Sequence, residues 1–66
     1  MSDPQLVQTL VEKGLELSAS AGGELERSCW MVVQEHHHGM KPSEYDIREI
    51  DEELYLAVLN LSLIHI

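Results

Sequence analysis

The chain has 66 residues, twelve acidic against four basic, with a formal net charge of -8, 44% hydrophobic content and one cysteine. That length admits one domain with a small core. A lone Cys29 excludes an internal disulfide framework and the multi-cysteine zinc modules, and the absent basic surplus speaks against direct nucleic-acid binding.

The opening Met1-Ser2-Asp3-Pro4 is acidic where a secretory leader would be basic, so it does not read as a targeting segment. It reads instead as a helix start. Asp3 can accept from the first free N–H groups and Pro4 suits the first helical position, with Ser2 and Gln5 as a rival capping pair. Leu6, Val7, Leu10, Val11, Gly14 and Leu17 then recur at helical spacing, which predicts a helix over 4–20. Gly14 falls on the apolar stripe, where it either permits a close helix contact or simply costs about 1 kcal/mol against alanine. Ser18 to Gly23 is small and glycine-rich, a break that allows a turn.

A second helix is expected over 24–38. Glu24 and Glu26 favour its positive end, while His36, His37 and His38 lie at its negative end. Leu25, Cys29, Val32, Val33 and His36 form its stripe, which Trp30 and Met31 widen. Gly39 is placed as a left-handed cap, with Pro42 soon after. The third helix is expected over 47–60. Asp46 and Glu49 fit a capping box with Tyr45 and Ile50 in the staple positions, and Ile47, Ile50, Leu54, Ala57, Val58 and Leu61 repeat at three and four. The fold class expected is all-α, a small antiparallel bundle of three amphipathic helices forming one domain over 1–60.

The last six residues, Leu61-Ser62-Leu63-Ile64-His65-Ile66, back-translate to CTG TCT CTT ATA CAC ATC. This resembles the mosaic-end sequence of the transposon adapters used in sequencing libraries, and implies an adapter-derived tail on a truncated metagenomic reading frame. On that reading 61–66 carries no evolved fold information. The hexapeptide is uncharged, so the charge of -8 belongs to the first sixty residues. The apolar run from Leu54 onward is shorter than the about 20 residues needed to span a bilayer, and Asn60, Ser62 and His65 interrupt it. A soluble cytoplasmic protein with no membrane association is expected, and the free thiol agrees with a reducing compartment.

Several constellations bear on chemistry. His36, His37 and His38 are weak metal-ligand candidates, since consecutive helical residues point about 100° apart and converge on one ion only from a frayed turn. Glu35 with His38 matches half of the Glu-x-x-His pattern of di-iron bundles, which needs a second copy. Cys29 sits on the apolar stripe, an environment for a small buried residue rather than a nucleophile. Glu12 with Glu16, and Glu49 with Glu52 or Glu53, resemble loosely the carboxylate pairs of all-helical magnesium-dependent pyrophosphohydrolases. The stretch Tyr45 to Leu54 resembles the opening helix of helix-turn-helix domains, but no basic recognition helix follows. No catalytic residue and no cofactor is assigned.

Charge is the more informative feature. Eight net negative charges steer association toward basic protein surfaces. In composition the chain resembles the small acidic accessory proteins of phages and mobile elements, which implies a protein partner with a basic surface. Glu44, Asp46, Glu49, Asp51, Glu52 and Glu53 are the expected charged contacts, with Trp30, Met31 and Met40 as apolar anchors. A homodimer is also expected, because three stripes of five or six apolar residues bury little. The competing reading is a metal-dependent enzyme or metal-binding protein using the carboxylates or His36 to His38. A third is the amino-terminal fragment of a longer chain.

Overall fold

The computed structural model describes residues 3–39 and 50–65. They form three helices, α1 (Pro4–Ala21), α2 (Leu25–His38) and α3 (Glu52–Ile64), and every pair of helices is in contact. The fold class is the all-α bundle expected from periodicity. None of the described helices is long and apolar enough to cross a membrane.

Helix α1 starts where its caps dictate. Asp3 is extended, and its Oδ1 accepts from the Gln5 N–H at 3.0 Å, with Pro4 in the first helical position. The helix stops at Gly22, whose φ of +68° lies in the left-handed region that glycine enters without a Cβ penalty. The Gly22 N–H donates to the Ser18 carbonyl, and the Ser18 hydroxyl donates to the Gly23 carbonyl at 2.9 Å. Helix α2 ends the same way at Gly39, φ +71°, donating to the Glu35 carbonyl.

Helix α3 departs from expectation at both ends. It begins at Glu52 rather than 47, with Ile50 and Asp51 outside the helix. Asp51, five residues beyond Asp46 in the sequence, is the N-cap of this helix. Asp51 Oδ1 accepts from the Leu54 N–H at 3.1 Å, and Glu52 and Glu53 occupy the positive first turn. The capping box of Asp46 and Glu49 lies outside the described residues. At the other end α3 runs on through Ile64, four residues past the expected stop at Asn60.

The bundle runs up, down, up. Leu6, Thr9 and Leu10 of α1 share a groove with Glu35 and His36 of α2, while Gly14 meets Cys29, so α1 and α2 are antiparallel. Asp3 and Leu6 share a cleft with Asp51 and Leu54, so α1 and α3 start at the same end. The core comprises Val7, Leu10 and Val11 of α1, Cys29, Val32 and Val33 of α2, and Ile50, Leu54 and Val58.

Two positions correct the expected stripes. His36 is exposed, and Ser28 and Gln34 are buried on α2 instead. Leu61 is 36% exposed whereas Ser62 is fully buried, because α3 turns the row Leu54, Val58 and Ser62 inward. A serine suits that row because the helices come close there. The Cys29 thiol donates to the Ser62 hydroxyl across 3.5 Å, and that hydroxyl donates to the Val58 carbonyl at 2.7 Å. Every buried side-chain N or O atom among the described residues has a hydrogen-bond partner.

Gly14, Cys29 and Ser62 thus put small side chains where the three helices meet. A Cβ at Gly14 would lie 3.5 Å from Cys29 Sγ and 3.7 Å from a Val32 methyl, which is ordinary contact. Gly14→Ala therefore gains helix propensity without a clash and raises stability by about 0.5–1 kcal/mol. Gly14→Leu drives extra carbons into Cys29 and Val32 and lowers it by about 1–3 kcal/mol. Thermal melting of the two variants checks both signs. Equal destabilisation by alanine and leucine would show that the helices pack too closely for any Cβ.

Candidate interaction surface

The up-down-up path gathers three termini at one end of the bundle: the starts of α1 and α3 and the finish of α2. Helix starts favour acidic side chains and helix ends favour basic ones. The sequence follows that rule, with Asp3 capping α1, Asp51 capping α3, Glu52 and Glu53 in the first turn of α3, and three histidines closing α2. Each local rule is satisfied separately, yet the fold makes one surface of them.

That surface contains a cleft of about 450 Å³. Asp3, Asp51 and Glu53 supply its carboxylates, Leu6 and Leu54 its apolar lining, and His36 and His37 its imidazoles. Asp3, Asp51, Glu52, Glu53, His36 and His37 are all exposed, while Leu54 belongs to the core. Leu54 is anchored in the core with half-buried Leu6 packed against it, and the carboxylates stand in water around them. This arrangement suits a lysine or arginine side chain, whose aliphatic stem lies on leucine while its charged head meets carboxylate.

The other expected residues are dispersed. Glu35 lies in the groove between α1 and α2 with Lys13 and Val32. His38 is half-buried and meets His37 edge to face, ring centroids 4.8 Å apart. Among the described residues no group of three or more His, Cys, Asp or Glu side chains is placed to hold a metal ion. Trp30 packs edge to face on Tyr55 at 5.1 Å and borders the core, so much of its surface serves the bundle itself. Met31 is half-buried. Glu44, Asp46, Glu49 and Met40 lie outside the described residues.

Cys29 is fully buried. Burial pushes its thiol above the ordinary value of 9.0, and the hydrogen bond with Ser62 partly offsets that rise. A buried thiol with a raised pKa stays protonated in the core, where it packs against its neighbours.

Leu54 was expected only as a core residue, and Asp3 and Leu6 are site residues that the sequence did not point to at all. Their signal was topological: with three helices in sequence, the first and third caps share an end. That inference needed only three helices taken as antiparallel neighbours in chain order.

The fold and this surface define a small all-α bundle with an acidic end. The chain belongs to the family described as Domain of unknown function (DUF8662), which it matches over residues 5–64. The match includes Leu61 to Ile64, the first four residues of the adapter-like hexapeptide. No curated protein and no solved structure matches the chain.

Proposed function

We propose that this protein is a small interaction module that binds, and thereby can inhibit, a protein partner presenting a basic surface. The observation that supports it most is the convergence of Asp3, Asp51 and Glu53 on one cleft lined by Leu6 and Leu54. Net charge alone would attract any cation weakly and without orientation. A cleft with carboxylates around an apolar lining adds geometry, taking one basic side chain while Glu52 and the remaining charge steer its approach. Burying that side chain's stem against leucine contributes binding that salt does not screen, whereas the carboxylate contacts are screened.

The test separates this end from total charge. A fluorescently labelled arginine-rich decapeptide serves as the probe, read by anisotropy at low salt. Glu52→Gln with Glu53→Gln, and Glu24→Gln with Glu26→Gln, each remove two of the twelve acidic residues. The first pair is expected to weaken binding by about fivefold or more, and the second by about twofold or less. Equal losses from both pairs would reduce the interaction to net charge and overturn the assignment of the site. Circular dichroism of each variant verifies that the helices persist.

A further inference from the structure

The outward face of α3 is a second surface, distinct from the acidic cleft. Nine of the thirteen residues from Glu52 to Ile64 are apolar, more than the core takes up. Leu56 is 52% exposed, Leu63 54% and Ile64 73%, and with exposed Asn60 they form one stripe along the helix. Leucines seven residues apart on one face are the spacing of a helix-pairing seam. The stripe does not continue to the start of α3, where Glu52 and Glu53 replace it with carboxylates.

We infer that this face pairs with the same face of a second copy, α3 antiparallel to the partner's α3. Three features favour another copy over a dissimilar occupant. In the antiparallel register that sets Leu56 against the partner's Leu63, symmetry sets Leu63 against the partner's Leu56, so one stripe satisfies both sides. Asn60 then lies next to the two-fold axis. Its carboxamide both donates and accepts, and is therefore complementary to the partner's Asn60. A polar residue at such a position also selects one register.

Charge decides the direction. A parallel pair would bring the acidic first turns together, Asp51 to Glu53 against their own copies. The antiparallel pair separates them by the length of the helix, about 20 Å at 1.5 Å per residue. One helix face per copy buries less than the about 800 Å² per partner of a standard interface, so the dimer is reversible.

The proposal stands apart from basic-partner binding, because it uses other residues and has the opposite salt dependence. Two like-charged copies repel, so added salt tightens the dimer while it weakens a carboxylate-to-cation contact.

The test is sedimentation equilibrium from about 10 μM to about 1 mM, the range where a dimer of this size dissociates. The mass is expected to rise toward twice the 7.5 kDa of the chain. Leu56→Asp and Leu63→Asp are each expected to weaken the dimer about tenfold or more. Because either variant changes the helix itself, concentration-dependent amide shifts of the unmodified protein provide a second reading. They should fall on Leu56, Asn60 and Leu63 and leave Gln8 and Glu12 of α1 unmoved. A monomer throughout the range, or shifts centred on another face, would overturn the proposal. Neither result bears on the decapeptide binding at Glu52 and Glu53.

Discussion

Leu54→Ala is expected to leave a large fraction of the protein unfolded at 37 °C. Leu54 is only 3% exposed and sits in the first turn of α3, where it packs with the core and also lines the acidic cleft. Removing a buried leucine side chain to its Cβ costs about 2–5 kcal/mol, the spread reflecting how far the site collapses. A core of this size supplies no more than about 3–5 kcal/mol of net stability. The loss is therefore comparable with the whole. Leu56→Ala is the matched control: the same atoms are deleted two residues away from a half-exposed position, and the change should stay within about 0.5 kcal/mol. Urea unfolding followed by helical circular dichroism compares them. Similar midpoints for both variants would mean that α3 does not dock through the row of Leu54, Val58 and Ser62.

The second large effect concerns the reactivity of Cys29. Its thiol is fully buried beneath α1 and α3, between Gly14 and Ser62. A thiol reagent reaches it only when the bundle opens, so labelling slows by the equilibrium constant for opening. With about 3–5 kcal/mol of stability and about 1.4 kcal/mol per decade, the expected slowing is about 100-fold to several thousand-fold against the urea-unfolded chain. Gly14→Ala should slow labelling further and Leu54→Ala should abolish most of the protection. Labelling at the unfolded rate under native conditions would show that α3 does not close over the cysteine.

The same thiol makes stability pH-dependent, with a determinate sign. Burial raises its pKa in the folded state, while the unfolded chain keeps a value near 9.0. Between those two values the folded state binds more protons, so stability falls as pH rises. Below the unfolded value the contribution is fully retained. The alkaline loss therefore begins near pH 9.0 and disappears in Cys29→Ala.

Legibility in the sequence varied with the range of the interaction that decides each feature. Starts and stops set by two or three adjacent residues were readable: Asp3-Pro4, Gly22 and Gly39 each act locally through one hydrogen bond or one left-handed φ. The start of α3 was not, because two acidic caps compete within a few residues and local chemistry does not rank them. Asp51 is the cap observed, with Ile50 before it buried in the core.

The inward face of α3 was misjudged for a different reason. Hydrophobicity favoured Leu61 over Ser62, but close approach to Cys29 requires a small side chain whose hydroxyl can be satisfied within its own helix. Size and hydrogen bonding, not hydropathy, decide that contact. The candidate site was half legible. Asp51, Glu52 and Glu53 stand out as a charge run, whereas Asp3 joins them only through the parallel placement of α1 and α3.

The adapter-like hexapeptide presents the sharpest contrast. Read as a tail it contributes nothing, yet its first four residues complete α3, and Ser62 is among the most buried side chains of the protein.

In the proposed function the acidic end, and not the overall charge, recognises basic side chains. Amide chemical-shift mapping with the arginine-rich decapeptide, repeated at about 50 mM and about 300 mM salt, tests it most directly. Shifts are expected to concentrate on Asp3, Leu6, His36, His37 and Asp51 to Leu54, and affinity to fall about tenfold or more between the two salts. Shifts spread evenly over Glu12, Glu16, Glu24 and Glu26, or an affinity indifferent to salt, would contradict it.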